Sequence, residues 1–241
     1  MGIPTHYSQD LPDRCLQLID KLWPAVQGVK ADGQADMGPL TTTFLLALAS
    51  PIIVLPIERI ERWRGGHGSK GYVNDRPMDE KLAHEVDRVL NAARFDSCPF
   101  FEKEQWRFAT LPFDHQNFAL EFPPELKENL DNATALASAA ALHSAQWASC
   151  LRNAISHGGV SYLDAHGWAS HGGETKMLAF VSATYPKYPK EHVLAGRRDT
   201  TKAPEELKVL RISESGFRSF LGQWVKWLKE SGISRELAKA A

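Results

Sequence analysis

One short segment of the chain combines side chains that are suited to phosphate chemistry. Arg152, Asn153 and His157 place a permanent cation, an amide and an imidazole within about one and a half helical turns. Arginine offers a planar fork of N–H donors to a phosphate, and histidine exchanges protons near neutral pH. These residues therefore predict a site that binds or cleaves a phosphodiester, and Ser156 can add a hydrogen bond to it.

The spacing of these residues sets a geometric condition on the site. On a straight helix Asn153 and His157, four positions apart, share a face, whereas Arg152 and His157, five apart, diverge by roughly 140°. Either the helix end at Gly158 re-aims the imidazole, or a second copy of the chain completes the site.

A long helix is expected to position this segment. Residues 133–157 are rich in Ala and Leu, and Gly158 and Gly159 follow as a terminator. Its predicted apolar face includes His143, which is interpreted as a packed, hydrogen-bonded core residue. The full face is Leu136, Ala140, His143, Trp147 and Leu151.

Residues 151–158, LRNAISHG, resemble the motif of the HEPN families, in which Arg is followed after four to six residues by His, often with a polar residue directly after the Arg. The chain also resembles poorly characterised bacterial, often plasmid-encoded members through GPLT at 38–41, PIIVLP at 51–56 and an aromatic last helix. A second match, Arg62 to His67, lacks the Asn and ends in a Gly-rich loop. The competing interpretation is a basic helix end, where His157 only stabilises the dipole.

The resemblance implies a metal-independent ribonuclease that needs no cofactor and cleaves by attack of a ribose 2′-OH on the adjacent phosphate. It further implies a homodimer whose shared cleft supplies two histidines, one as acid and one as base. The implied biological role is in stress response, in a toxin–antitoxin pair or in conflict with phages and plasmids. The alternative is a non-catalytic module that binds RNA, a nucleotide or a protein. An antitoxin is the partner expected for a nuclease toxin. A third hypothesis is nucleotidyl transfer by a partner nucleotidyltransferase, with Tyr162 as the acceptor of the nucleotidyl group.

Two further clusters have both a functional and a non-functional interpretation. The segment 65–77 is Gly-rich and flanked by basic residues, so it is either an RNA-guiding loop or a solvated one; the candidate RNA contacts are Arg62, Arg64, Lys70 and Arg76. His166, His171 and Glu174 lie close together, but their spacing matches no strong metal site, so no metal is expected.

Composition limits the class of protein. The chain has 241 residues and a net charge of -1, which argues against non-specific coating of nucleic acid. Its three cysteines form no CxxC pair, and the polar first residues do not suggest a secretory signal, so a cytoplasmic location is expected. The apolar stretch 44–57 contains Pro51 and Pro56 and is predicted to be a kinked core helix, not a membrane span.

The remaining pattern predicts the following elements. Helices are expected at 12–23, ended by Pro24, at 41–64, at 79–93 and, after a cap at Ser213, to about residue 231. Short strands are expected at 160–163, 177–181 and 207–212, while 95–124 and 186–204 are predicted to be irregular.

These elements predict a mainly α fold. We expect a single HEPN-like domain over 1–241, with a helical core of about 10–158 plus 213–231. A β-hairpin or three-stranded appendage at about 160–212 and an amphipathic C-terminal helix complete it.

Overall fold

An antiparallel sheet lies between helices in the computed structural model, which describes residues 7–32, 38–64, 80–112, 118, 121–184, 205–233 and 235. In these ranges the strands are β1 (Arg107–Pro112), β2 (Val160–Leu163), β3 (Met177–Thr184) and β4 (Glu206–Ser213). They pair in the order β1-β4-β3-β2, and every pair is antiparallel.

The helices occur before, between and after the strands. They are α1 (Tyr7–Val26), α2 (Thr41–Ala49), a π-helical segment (Ser50–Val54), α3 (Leu55–Arg64), α4 (Glu80–Leu90), a short 3₁₀ turn (Phe95–Ser97), α5 (Pro124–Asp131), α6 (Thr134–Ala141), α7 (Ser144–His157) and α8 (Glu214–Glu230).

The predicted mainly α bundle with a small β appendage is wrong, because the sheet is a central layer of a mixed α/β fold. On one face Phe180 and Leu210 join the main core, which also contains buried residues of α7 and α8. On the other face Ala179 and Val209 pack in a second cluster with Leu126 of α5. Strands that are apolar on both faces must be covered twice, so the sheet cannot project from the domain.

Strand β1 is the element that the sequence analysis missed. It lies within the segment predicted to be irregular, and it pairs with β4 along its whole length, from Arg107 opposite Arg211 to Pro112 opposite Glu206. Because the partner is about a hundred residues away in the chain, the local pattern carried only a weak signal for this strand.

The predicted long helix 133–157 is divided into α6 and α7. Leu142 and His143 are extended between them, and the backbone there pairs with a distant segment. The Phe95 amide donates to the Leu142 carbonyl at 2.6 Å, and the Ser144 amide donates to the Ala92 carbonyl at 3.1 Å. These tertiary bonds outweigh the helical propensity of the Ala-rich sequence.

A kink or a division into two shorter helices is predicted around Pro51 and Pro56, and the structure has α2 and α3 joined there by the π-helical segment. The helix widens into the π-helical segment, and the carbonyl of Ile52 loses its ordinary partner because Pro56 has no N–H. Trp224 Nε1 of α8 donates to that carbonyl at 2.8 Å.

By length and composition the run Thr41–Ile60 would suffice to cross a membrane; 44% of its most apolar window is buried inside the protein.

The C-terminal part of the prediction agrees with the structure. The hairpin of β2 and β3, the strand β4 and the helix α8 are all present, and Ser213 Oγ caps α8 by accepting from the Gly216 amide at 3.0 Å.

At the N-terminus, α1 continues through Pro24 to Val26, so this proline does not stop the helix as predicted.

Candidate functional site

Helix α7 is anchored by its first half. The Trp147 ring is fully buried, stacks on Phe95 with centroids 4.3 Å apart, and meets Phe220 edge-on at 5.3 Å. Leu151 and Ala154 continue this buried face toward the helix end. Since the interior is close-packed, the aromatic contacts fix both the position and the rotation of the helix.

The last turn of α7 carries the motif at the protein surface. Ser156 and His157 are exposed, and Arg152 and Asn153 are half-buried. The helix stays regular through His157, and Gly158 ends it in the left-handed conformation, φ 71°, with its amide bonded to the Ala154 carbonyl. The helix end therefore leaves Arg152 and His157 on faces about 140° apart.

Gly159 connects the end of α7 directly to the sheet. The Val181 amide of β3 donates to the Gly159 carbonyl at 2.7 Å, and a Cβ atom at Gly159 would overlap the Val181 carbonyl oxygen. Only glycine permits this close approach of the two backbones. The motif is consequently held at the edge of the sheet, where β2 begins.

Asn153 faces the sheet from the same side of α7 as His157. Its Nδ2 lies 3.5 Å from Ser182 Oγ of β3, and Ser182 is paired in register with Lys208 of β4. Cys150, one turn earlier on the helix, contacts the Lys208 carbonyl with its thiol at 3.5 Å. The amide of the motif thus contacts a hydroxyl of β3, and β4 places Lys208 next to that hydroxyl's residue in the sheet.

Sequence reasoning missed Ser182 and Lys208. A signal was available for Lys208, because it alternates in step with Leu210 and Ile212, which point into the main core. A lysine on the core-facing side of a strand is an unusual placement that marks a polar environment. Ser182 lies just beyond the predicted end of its strand, and only the tertiary fold brings it to Asn153.

Arg152 occupies the other side of α7. Its Nε is shielded from solvent, and the side chain is engaged in interactions within the protein. The structure therefore brings Asn153 and His157 to one face of the helix, with Ser156 exposed beside them. It does not bring Arg152 onto that face.

The thiol near the motif is not poised for chemistry. Burial raises the pKa of Cys150 to about 12, and the nearby Lys208 charge only partly opposes that shift. Burial likewise raises the pKa of Cys98 to about 11, against the effect of its hydrogen bond with Ser144. Because a thiolate is the reactive form, neither cysteine is a nucleophile at neutral pH.

The weaker predicted contacts are only partly within the described structure. Arg62 and Arg64 lie in the last turn of α3, whereas Lys70 and Arg76 fall outside the described residues, with the whole segment 65–79. The RNA contacts of all four residues stay predictions.

The three residues considered as metal ligands, His166, His171 and Glu174, lie between β2 and β3. His166 and His171 are exposed, and Glu174 pairs with Lys176 at 2.8 Å.

No family model, curated protein or solved structure matches this chain significantly.

Proposed function

We propose that this protein is a metal-independent RNA endonuclease whose reaction centre is the last turn of α7. The observation that carries the proposal is the exposure of His157 at the end of a helix that the aromatic core fixes in place. Asn153 on the same face and Arg152 nearby supply the polar groups that a phosphodiester needs. The HEPN resemblance of this segment supports the same chemistry.

The reaction balances with these groups alone. One histidine accepts the proton of the ribose 2′-OH, and the 2′ oxygen forms a bond to the adjacent phosphorus. The bond from phosphorus to the 5′ oxygen breaks, and a second histidine protonates that leaving oxygen. The products are a 2′,3′-cyclic phosphate and a 5′-OH. Arg152 stabilises the charge on the non-bridging oxygens.

The second histidine requires a second copy of the chain. A regular helix end holds Arg152 and His157 on diverging faces, so one protomer offers one imidazole and an arginine that points elsewhere. A homodimer that brings two α7 ends to one cleft would supply two imidazoles and place an arginine opposite them. Asn153, held by Ser182, then positions the imidazole or binds phosphate.

The first test is cleavage of a mixed RNA panel in excess EDTA. We expect wild type to cut and to leave 2′,3′-cyclic phosphate ends, while His157→Ala and Arg152→Ala each lose about 10²- to 10⁴-fold in rate. Matched controls are His84→Ala and Arg88→Ala, which remove the same residue types from exposed positions of α4. Equal rates in all variants would assign the activity elsewhere, and no cleavage across the panel would indicate a binding role.

A second test addresses the shared cleft. Differently tagged wild-type and His157→Ala chains are co-expressed, and the heterodimer is isolated through both tags. If the cleft needs both histidines, the activity of the heterodimer falls close to that of the homodimer in which both chains carry His157→Ala. An activity near half of wild type would show that each protomer works alone and would reject the shared cleft.

A further inference from the structure

A cleft of about 410 Å³ opens beside the edge strand β2. Its walls come from β2, from the loop that follows β2, and from the start of α2 with the segment before it. This volume falls in the range of small-molecule sites, and it exceeds what a single base needs. The cleft lies immediately after the motif in the chain, since β2 starts three residues beyond His157.

The described lining of the cleft combines apolar surface with hydroxyl groups. Pro39, Leu40 and Val160 supply aliphatic surface, and Thr43 and Ser170 supply hydroxyls. Among the lining residues that the structure describes, none is Asp, Glu, Lys or Arg. An uncharged ring with polar edges would find both an apolar wall and hydrogen-bonding groups in this described lining.

Tyr162 and Phe118 are the Tyr and Phe residues of the described cleft lining. Tyr162 lies on the edge strand β2 opposite Leu178, and 46% of the residue is exposed. An exposed tyrosine among the lining residues of a cleft offers a surface on which a base can stack. A tyrosine that only filled the core would be covered, as Phe180 on the neighbouring strand is.

The loop wall of the cleft is preformed and strained. The Ser170 amide donates to the Tyr162 carbonyl at 3.0 Å, and the Gly173 amide donates to the Ser170 carbonyl at 2.6 Å. Between them His171 adopts a left-handed backbone conformation with φ 39°. A non-glycine residue in this region costs free energy, and such strain concentrates at binding sites.

The cleft is within reach of the proposed reaction centre. Val160 and Tyr162 are three and five residues beyond His157, so their Cα atoms lie at most about 18 Å from its Cα. A short oligonucleotide can span that distance. The imidazole of His157, with an Arg152 placed opposite it by the proposed dimer, would meet the phosphate, and the cleft would meet a base on the same strand.

We propose that the cleft beside β2 binds an unpaired nucleobase of the RNA whose phosphodiester lies at the end of α7. This inference rests on the proposed ribonuclease function and adds the substrate class, which is single-stranded RNA recognised through a base near the cut. The unpaired state follows from the geometry, because a base must leave its stack to enter a cleft and contact Tyr162.

Binding of single-base pentanucleotides with 2′-O-methyl riboses tests the cleft separately from cleavage, since the methylated oxygen cannot attack. We expect Tyr162→Ala to weaken binding about ten- to hundredfold, as loss of a stacking ring does, and Tyr162→Phe to restore it. The salt dependence should stay unchanged in Tyr162→Ala, whereas Arg152→Ala should reduce its slope by about one phosphate contact. Leu22→Ala, which removes an exposed apolar side chain from α1, is the matched control.

A blocking variant keeps the test independent of the folding of Tyr162→Ala. Thr43 is exposed at the cleft, so Thr43→Phe fills the space without removing a core contact, and it should weaken binding similarly. Affinities within twofold of wild type in both Tyr162→Ala and Thr43→Phe would overturn the proposal, even if the RNA is cleaved. Tyr162-dependent binding without cleavage of ordinary RNA would support the cleft and reject the nuclease.

Discussion

The two ends of α7 differ in what surrounds them. In the first half, Trp147 is enclosed by Phe95, Phe100 and Phe220, with ring centroids 4.3 to 5.5 Å from its own. In the last turn, His157 is exposed and the helix ends on a glycine. The same helix therefore carries a fully buried ring of the aromatic core at one end and the candidate reactive group at the other.

This difference separates the residues that hold the helix from those that its end presents. Packing at Trp147 decides where the last turn lies, but His157 and Ser156 contribute little buried surface of their own. A site built on a regular element is positioned more rigidly than one on a loop. Substitutions at the two ends should accordingly change different quantities, stability in the first half and activity in the last turn.

The largest effect on stability is expected for Trp147→Ala. Removing a fully buried indole leaves a cavity in the aromatic cluster, and the free energy of unfolding should fall by about 3–5 kcal/mol. Urea denaturation measures this loss, and His157→Ala on the same helix is the control, expected to stay within about 0.5 kcal/mol of wild type. A similar loss in both variants would show that the last turn is also part of the packed structure.

A smaller effect is expected from pH, through the buried thiols. Burial raises the pKa of Cys150 to about 12 and that of Cys98 to about 11, whereas thiols of the unfolded chain ionise near pH ~8.5. The stability is fully present below that lower value and falls as the pH rises toward the folded-state pKa. Each thiol contributes a slope of about 1.4 kcal/mol per pH unit, or about 2 kcal/mol by pH ~10.

Urea denaturation between pH ~8.5 and ~10 tests this slope. Cys150→Ala should lose one thiol's share of the decline, whatever its effect on stability at neutral pH. The comparison is between slopes because the variant also leaves a small cavity. An unchanged slope in Cys150→Ala would contradict the assignment of that share to Cys150.

The parts of the fold that sequence predicted well are those with local signals. The hairpin of β2 and β3 follows from short apolar runs bounded by glycines, and α8 follows from its Ser213 cap and its aromatic period. The strand β1 and the break before α7 were missed because each depends on a distant partner: β4 for the strand, and the Ala92 and Phe95 backbone for the break. The mistaken fold class has the same origin, since a sheet without β1 resembled an appendage.

In the candidate site, too, sequence predicted the residues with local signals and missed those that depend on the tertiary fold. The segment that bears Arg152 and His157 was predicted to end a helix, and the helical period already required the two side chains to diverge. The neighbours Ser182 and Lys208 come from β3 and β4, so no local pattern linked them to Asn153. A helical repeat gives the faces of α7, but only the tertiary fold shows what each face meets.

The smallest effect distinguishes two interpretations of His143. The sequence placed this residue on the apolar face of a long helix, whereas the structure makes it the exposed N-cap of α7, with Nδ1 accepting from the Ala145 amide at 3.3 Å. A long capping bond predicts a loss of only about 0.5–1 kcal/mol for His143→Ala, and His143→Ser should restore or exceed wild-type stability because serine is a stronger cap. A core histidine would give the opposite order, since a small hydroxyl residue would leave a cavity and a buried polar group. Thermal denaturation of the two variants therefore tests whether His143 acts as the N-cap of α7 or as a packed core residue.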